Sequence, residues 1–135
     1  MERFLGRYAS YIYALLRIVA GLLLLMHGTQ KLFGWPLALP MAADTMTTAI
    51  GVFEVIAGVM IMIGFFASIP AFIASGMLAV GYFMVHQPRG RWPIENGGEP
   101  AALLSFIFLY IAARGSGPLS VDSLFRASAR PGPDL

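Results

Sequence analysis

Cysteine is absent from the chain, which excludes disulfides, thiolate metal sites, covalent haem attachment and any CxxC redox relay. Redox chemistry, if there is any, must use a borrowed cofactor. Charge is scarce too: Asp, Glu, Lys and Arg make up 12% of 135 residues, about half the share in an ordinary soluble domain. The nine Lys and Arg are scattered among seven acids, so a net charge of +2 offers nucleic acid no basic stripe. No glycine-rich phosphate loop or nucleophile motif occurs, which leaves nucleotide and hydrolase readings without support. The two histidines stand in no HxxxH or ExxH spacing, so no metal is predicted.

What the chain does have is apolar surface. Hydrophobic residues reach 58%, more than a soluble core of this size can hide. We therefore expect an all-α polytopic membrane protein, a bundle of four transmembrane helices. The first covers about residues 11–33, a retained helix rather than a cleaved signal, ending at Phe33-Gly34-Trp35-Pro36. The second covers about 45–66. The uncharged run from Val55 to Val85 would measure about 46 Å as one helix, too long for a single crossing. It is divided at Gly64 and Ser68-Ile69-Pro70, with Ser68 as the expected N-cap of a third helix over about 69–87. The fourth, about 99–114, has an uncharged core of only about 21 Å, which draws Glu99 or Arg114 toward the membrane. Residues 1–124 form the predicted membrane domain, closing with a turn and a short interfacial helix; 125–135 form a disordered tail. Arg3, Arg7, Arg114, Arg126 and Arg130 share the side of the termini, against Lys31, Arg89 and Arg91 opposite, which predicts cytoplasmic termini.

Ionisable residues inside spanning helices are costly and tend to mark function. At 100° per residue, Arg17, Gly21, Leu24, Gly28 and Lys31 share a face of the first helix, with His27 beside it. On the second helix Gly51, Glu54 and Gly58 fall together. Glu54 is expected near the midplane, with Arg17 or His27 as its partner. The pair either fixes helix register or moves protons. His27, Lys31, His86, Glu95 and Glu99 gather toward the outer end, either as a ligand-site mouth or as an interfacial rim. Two histidines near helix ends are too common a pattern to carry a bis-imidazole haem. Met60, Met62, Phe65, Phe66, Phe72, Tyr82 and Phe83 are read as packing or lipid-facing residues rather than as a quinone pocket.

Together these segments resemble the DoxX family of bacterial four-helix membrane proteins. The resemblance rests on Arg17-Ile18-Val19-Ala20-Gly21, His27 through Gly34, and Glu54 with Ala57-Gly58 and Gly64. His86, Asn96-Gly97-Gly98-Glu99 and Gly115 through Asp122 complete it, over about residues 11–124, with Ser116 where the family pattern has proline. It implies kinship with the DoxD subunit of thiosulfate:quinone oxidoreductase, a bacterial inner-membrane location and an association with quinone. It attaches no reaction to this chain alone. On that basis Glu54 and His27 are candidates for proton transfer, and Arg17, His27, Lys31, His86 and Glu99 for a quinone or ligand site. A non-catalytic scaffold packed on partner membrane or redox proteins is the alternative, the small-residue faces with Gly51, Gly58, Gly76 and Gly81 serving either purpose. Membrane lipid is the expected surrounding, oligomeric assembly stays open, and a permeation pathway would require it.

Overall fold

The computed structural model describes residues 3–129, and among these every regular element is helical. A 3-10 turn, Gly6–Tyr8, leads into α1 (Ala9–Phe33), which therefore starts two residues before the expected position. Asp44 caps α2 (Thr45–Ile63), its Oδ1 accepting the Thr47 N–H at 2.7 Å; that bond holds its carboxyl below the ordinary carboxylate value. The helix stops at Ile63 rather than Phe66 because Gly64 turns left-handed at φ 71, with its N–H folded back onto the Ile61 carbonyl.

α3 (Ser68–Gly81) continues without a break through a π turn, Tyr82–His86, and a 3-10 turn, Gln87–Arg89. Its N-cap is Ala67, not Ser68, and the Ala67 N–H is met by the hydroxyl of Ser116 at 3.3 Å. A single turn, α4 (Pro93–Asn96), precedes α5 (Glu99–Arg114). The expected domain boundary at residue 124 falls inside α6 (Val121–Ser128), so the predicted disordered tail begins as helix; residues 130–135 lie outside the described residues. Among the described residues three helical paths are long and apolar enough to cross a membrane: Gly6–Phe33, Thr45–Ile63 and Ser68–Arg89. With 16 residues α5 is shorter.

The four long helices form two antiparallel pairs, α1 with α2 and α3 with α5, and the pairs meet each other sparingly. Glycine brings the first pair together. A Cβ added at Gly21 would lie 2.6 Å from the Met62 nitrogen, and one at Gly58 2.6 Å from the Leu25 nitrogen, so the two backbones touch. Between the pairs the core is built from Ala20, Ala57, Ala71 and Ala74 around the larger Leu24 and Phe108. It reaches outward as far as Leu24, Glu54, Ser75 and Leu104. Beyond that level, buried Gly28 and Gly51 pack within the first pair, and buried Gly98 packs within the second against Tyr82.

Candidate functional site

Glu54 sits at the outer rim of this core. Lys31 reaches both of its carboxylate oxygens, Nζ lying 2.8 Å from Oε2 and 3.1 Å from Oε1. The side chains are 5% and 20% exposed, so the carboxylate is shut away while the ammonium keeps an outlet. The partner is thus neither of the two cations expected. Helical side chains lean toward the N-terminus, which carries the Lys31 ammonium back about one turn, to the level where Gly28 meets Gly51 and Val55. His27 shares that level but points round the helix and is exposed. Glu54 also lies off centre: the Gly28 level is about 10 Å along the axis from Gly21 in the middle of α1, and about 16 Å from Arg17.

Arg17 has a different task. It is fully buried, and its guanidinium is enclosed by main-chain carbonyls rather than by an acid. Nε donates to Ile61 O at 3.1 Å, Nη2 to Leu119 O at 2.6 Å, and Nη1 to Pro118 O at 3.0 Å and to Ser116 O. Those carbonyls converge because the loop after α5 curls on itself, with Gly115, Gly117 and Leu119 at φ 84, 66 and 51. For Leu119 this left-handed backbone costs about 1–3 kcal/mol, which the charged hydrogen bond to Arg17 offsets. The same loop is fastened to the α2–α3 turn. Asp122 Oδ2 accepts from the Phe66 N–H at 3.0 Å and from Ser116 Oγ at 2.6 Å, while the Asp122 N–H donates to Gly64 O. Ser116 thus makes two side-chain bonds that proline at that position could not.

His86 belongs to a third cluster. The π turn stacks it beside the Tyr82 ring and sets its Nδ1 3.3 Å from Asn96 O. Buried Asn96 donates to Tyr82 Oη and Gly90 O and accepts from the Gly98 N–H, closing the loop before α5. π turns of this kind are frequent at functional sites. Glu99 is exposed at the N-terminus of α5. Of the sequence-predicted residues the structure therefore brings Lys31 and Glu54 together; His27, His86 and Glu99 make no hydrogen bond with that pair or with one another among the described residues. No group of three or more metal-ligating His, Cys, Asp or Glu converges among the described residues.

Outward of the shared core the seams between the pairs open into two grooves. One, of about 700 Å³ between α2 and α3, is walled by Thr47, Ile50, Phe72, Gly76 and Met84, with Ser75 facing it. Thr47, Ile50 and Glu54 are spaced by three and four residues, so they follow one stripe of α2, with Glu54 a turn deeper than the groove wall. Gly76 and Gly81 are open on this side: a Cβ at either would meet nothing within 4 Å. The other groove, about 640 Å³ between α1 and α5, contains Leu23, Leu103, Phe106 and Glu99. Ser75 carried no distinguishing sequence signal. Asn96 and Asp122 did, through the Asn-Gly-Gly turn and the serine-capped helix start.

The DoxX family model matches residues 12–87, which takes in α1, α2, α3 and the π turn. An uncharacterized protein of Haemophilus influenzae is 35% identical over 128 residues, covering 90% of this chain and 96% of that relative. No solved structure matches.

Proposed function

The chain belongs to the DoxX family, and from that premise we propose that it is a membrane subunit associated with an oxidoreductase system, receiving a quinone-like lipid in the groove between α2 and α3. It is a membrane protein by family and by its three long apolar helices. The proposed setting is the bacterial cytoplasmic membrane. There α5 makes a fourth crossing, with Glu99 and Arg114 drawn to the two interfaces and both termini on the cytoplasmic side. Charge supports this: among the described residues Arg3, Arg7, Arg114 and Arg126 lie exposed at the end of the termini, accompanied by Asp122 alone among the acids.

The observation that supports the reading is a largely apolar groove of about 700 Å³ whose α2 wall, Thr47 and Ile50, lies on the same helix stripe as Glu54 of the buried ion pair, which itself does not line it. Its walls suit an isoprenoid tail, and the open surface at Gly76 suits a flat ring. The residues present therefore fit such a group, which when bound supplies two-electron, two-proton redox chemistry. The chain's own part is to exclude water, to offer the Ser75 hydroxyl as an acceptor while it donates to Ser105 O at 2.7 Å, and to keep a charged pair behind the groove wall. In this reading Glu54 and Lys31 polarise the site and take part in proton movement through the partly exposed ammonium.

Gly76→Phe tests this directly, since a Cβ there meets nothing within 4 Å and the ring it carries would occupy the groove. Purified protein in nanodiscs should bind a short-chain ubiquinone or menaquinone, and the variant should bind at least about tenfold more weakly, the loss of about 1.4 kcal/mol of contact. Quinone binding that survives Gly76→Phe would overturn the proposal. A second reading rests on the same open glycines, which also admit a partner helix. A wild type that binds no quinone but co-purifies with membrane partners, and loses them in Gly76→Phe, would establish the scaffold role instead.

A further inference from the structure

At the end of the termini a third cleft, of about 510 Å³, opens between the start of α1 and the end of α5. Its lining includes two guanidinium groups, Arg3 and Arg114, and an apolar wall formed by the exposed side chains of Ile12 and Leu16. Among the described residues Arg114 is held in place without an acid. Its Nη1 donates to Tyr110 Oη at 3.1 Å, and its guanidinium lies 4.6 Å from the centre of the Tyr13 ring. Tyr13 and Tyr110 meet edge to face, which gives the cation a rigid aromatic seat. Among the described residues the one ion pair is Lys31 with Glu54, at the other end of the molecule, so no described carboxylate neutralises either guanidinium of the cleft. The N-terminus of the 25-residue α1 adds positive potential at Ala9, which also lines the cleft.

We propose that this cleft binds one anionic phospholipid, with its phosphate between Arg3 and Arg114 and an acyl chain along Ile12 and Leu16. Paired cations fit a phosphate, and the tyrosines suit the boundary between headgroup and hydrocarbon. The exposed apolar wall distinguishes a lipid from a free anion, which would gain nothing from Ile12 or Leu16. The site is separate from the groove between α2 and α3 and does not depend on what that groove binds.

The test is made on the full chain, delipidated in a neutral detergent and titrated with phosphatidylglycerol or phosphatidylcholine, with bound lipid counted by native mass spectrometry. Phosphatidylglycerol should be preferred by at least about tenfold, and Arg3→Gln, which removes an exposed side chain outside the long helices, should weaken it about fivefold. Arg3→Gln/Arg114→Gln should abolish the preference, while Arg89→Gln/Arg91→Gln at the opposite end should leave it intact. Arg114→Lys should retain part of it if the double variant folds poorly. Equal binding of the two lipids, or an undiminished preference in Arg3→Gln, would overturn the proposal. Displacement of phosphatidylglycerol by millimolar inorganic phosphate would overturn the lipid assignment in favour of a free-anion site.

Discussion

Removing one partner of the Lys31–Glu54 pair should have very different consequences depending on which is removed. In Lys31→Met the Glu54 carboxylate, 5% exposed, stays buried without its hydrogen-bonded cation, a situation that costs about 3–5 kcal/mol. In Glu54→Gln the orphan is Lys31, 20% exposed and two residues from the end of α1 at Phe33, so its ammonium can extend outward to water or headgroups. The amide still accepts one hydrogen bond, and the loss should stay near 1–2 kcal/mol. Lys31→Met/Glu54→Leu removes both charges and should recover most of the stability lost by Lys31→Met, because well-packed apolar replacements of buried pairs are often neutral. Reversible unfolding in mixed micelles titrated with dodecyl sulfate measures all three variants. Equal losses in the two single variants, or a double variant as unstable as Lys31→Met, would refute the assignment of Glu54 as the shut-away partner and Lys31 as the exposed one.

Two further variants can be measured in the same titration. Arg17→Lys keeps the charge but loses the planar fork, leaving at least one of the four carbonyls without a donor; about 2–4 kcal/mol should be lost, with faster hydrogen exchange across residues 115–119. Unchanged exchange there would contradict the cage. Gly58→Ala forces a Cβ to within 2.6 Å of the Leu25 nitrogen, so α1 and α2 must part, at about 2–3 kcal/mol, whereas Gly76→Ala should change stability by no more than about 0.5 kcal/mol.

Much of this arrangement could be read along the chain because it depends on helix periodicity. The face shared by Arg17, Gly21, Leu24, Gly28 and Lys31 is the face that meets α2. The short fourth helix was visible as 14 uncharged residues from Pro100 to Ala113. The pairing of Glu54 was not, since depth counted from α-carbons ignores the backward lean and four-carbon reach of Lys31. Nor was the role of Arg17 legible. Its partners are main-chain carbonyls at 116, 118 and 119, and a carbonyl leaves no mark in a sequence. Gly76 and Gly81 resemble Gly51 and Gly58 in sequence, yet one set faces open space and the other is pressed against α1.

The contrast between the two ends follows from how little the pairs share. An interface built on Ala57, Ala67, Ala71 and Ala74 buries little side-chain area, and in lipid, where packing contacts rather than the hydrophobic effect join helices, it holds α3 and α5 to α1 and α2 only weakly. The curled loop supplies the missing attachment. Arg17 on α1 grips the carbonyls that follow α5, and Ser116 and Asp122 grip the turn between α2 and α3, so one cluster joins all four helices at one end. With the pairs fastened there, the opposite end can stay parted without the bundle coming apart. The buried cation and the curled loop thus make possible the open groove between α2 and α3, and a variant that loosens Arg17 should weaken the quinone binding proposed there, about 16 Å away along α1.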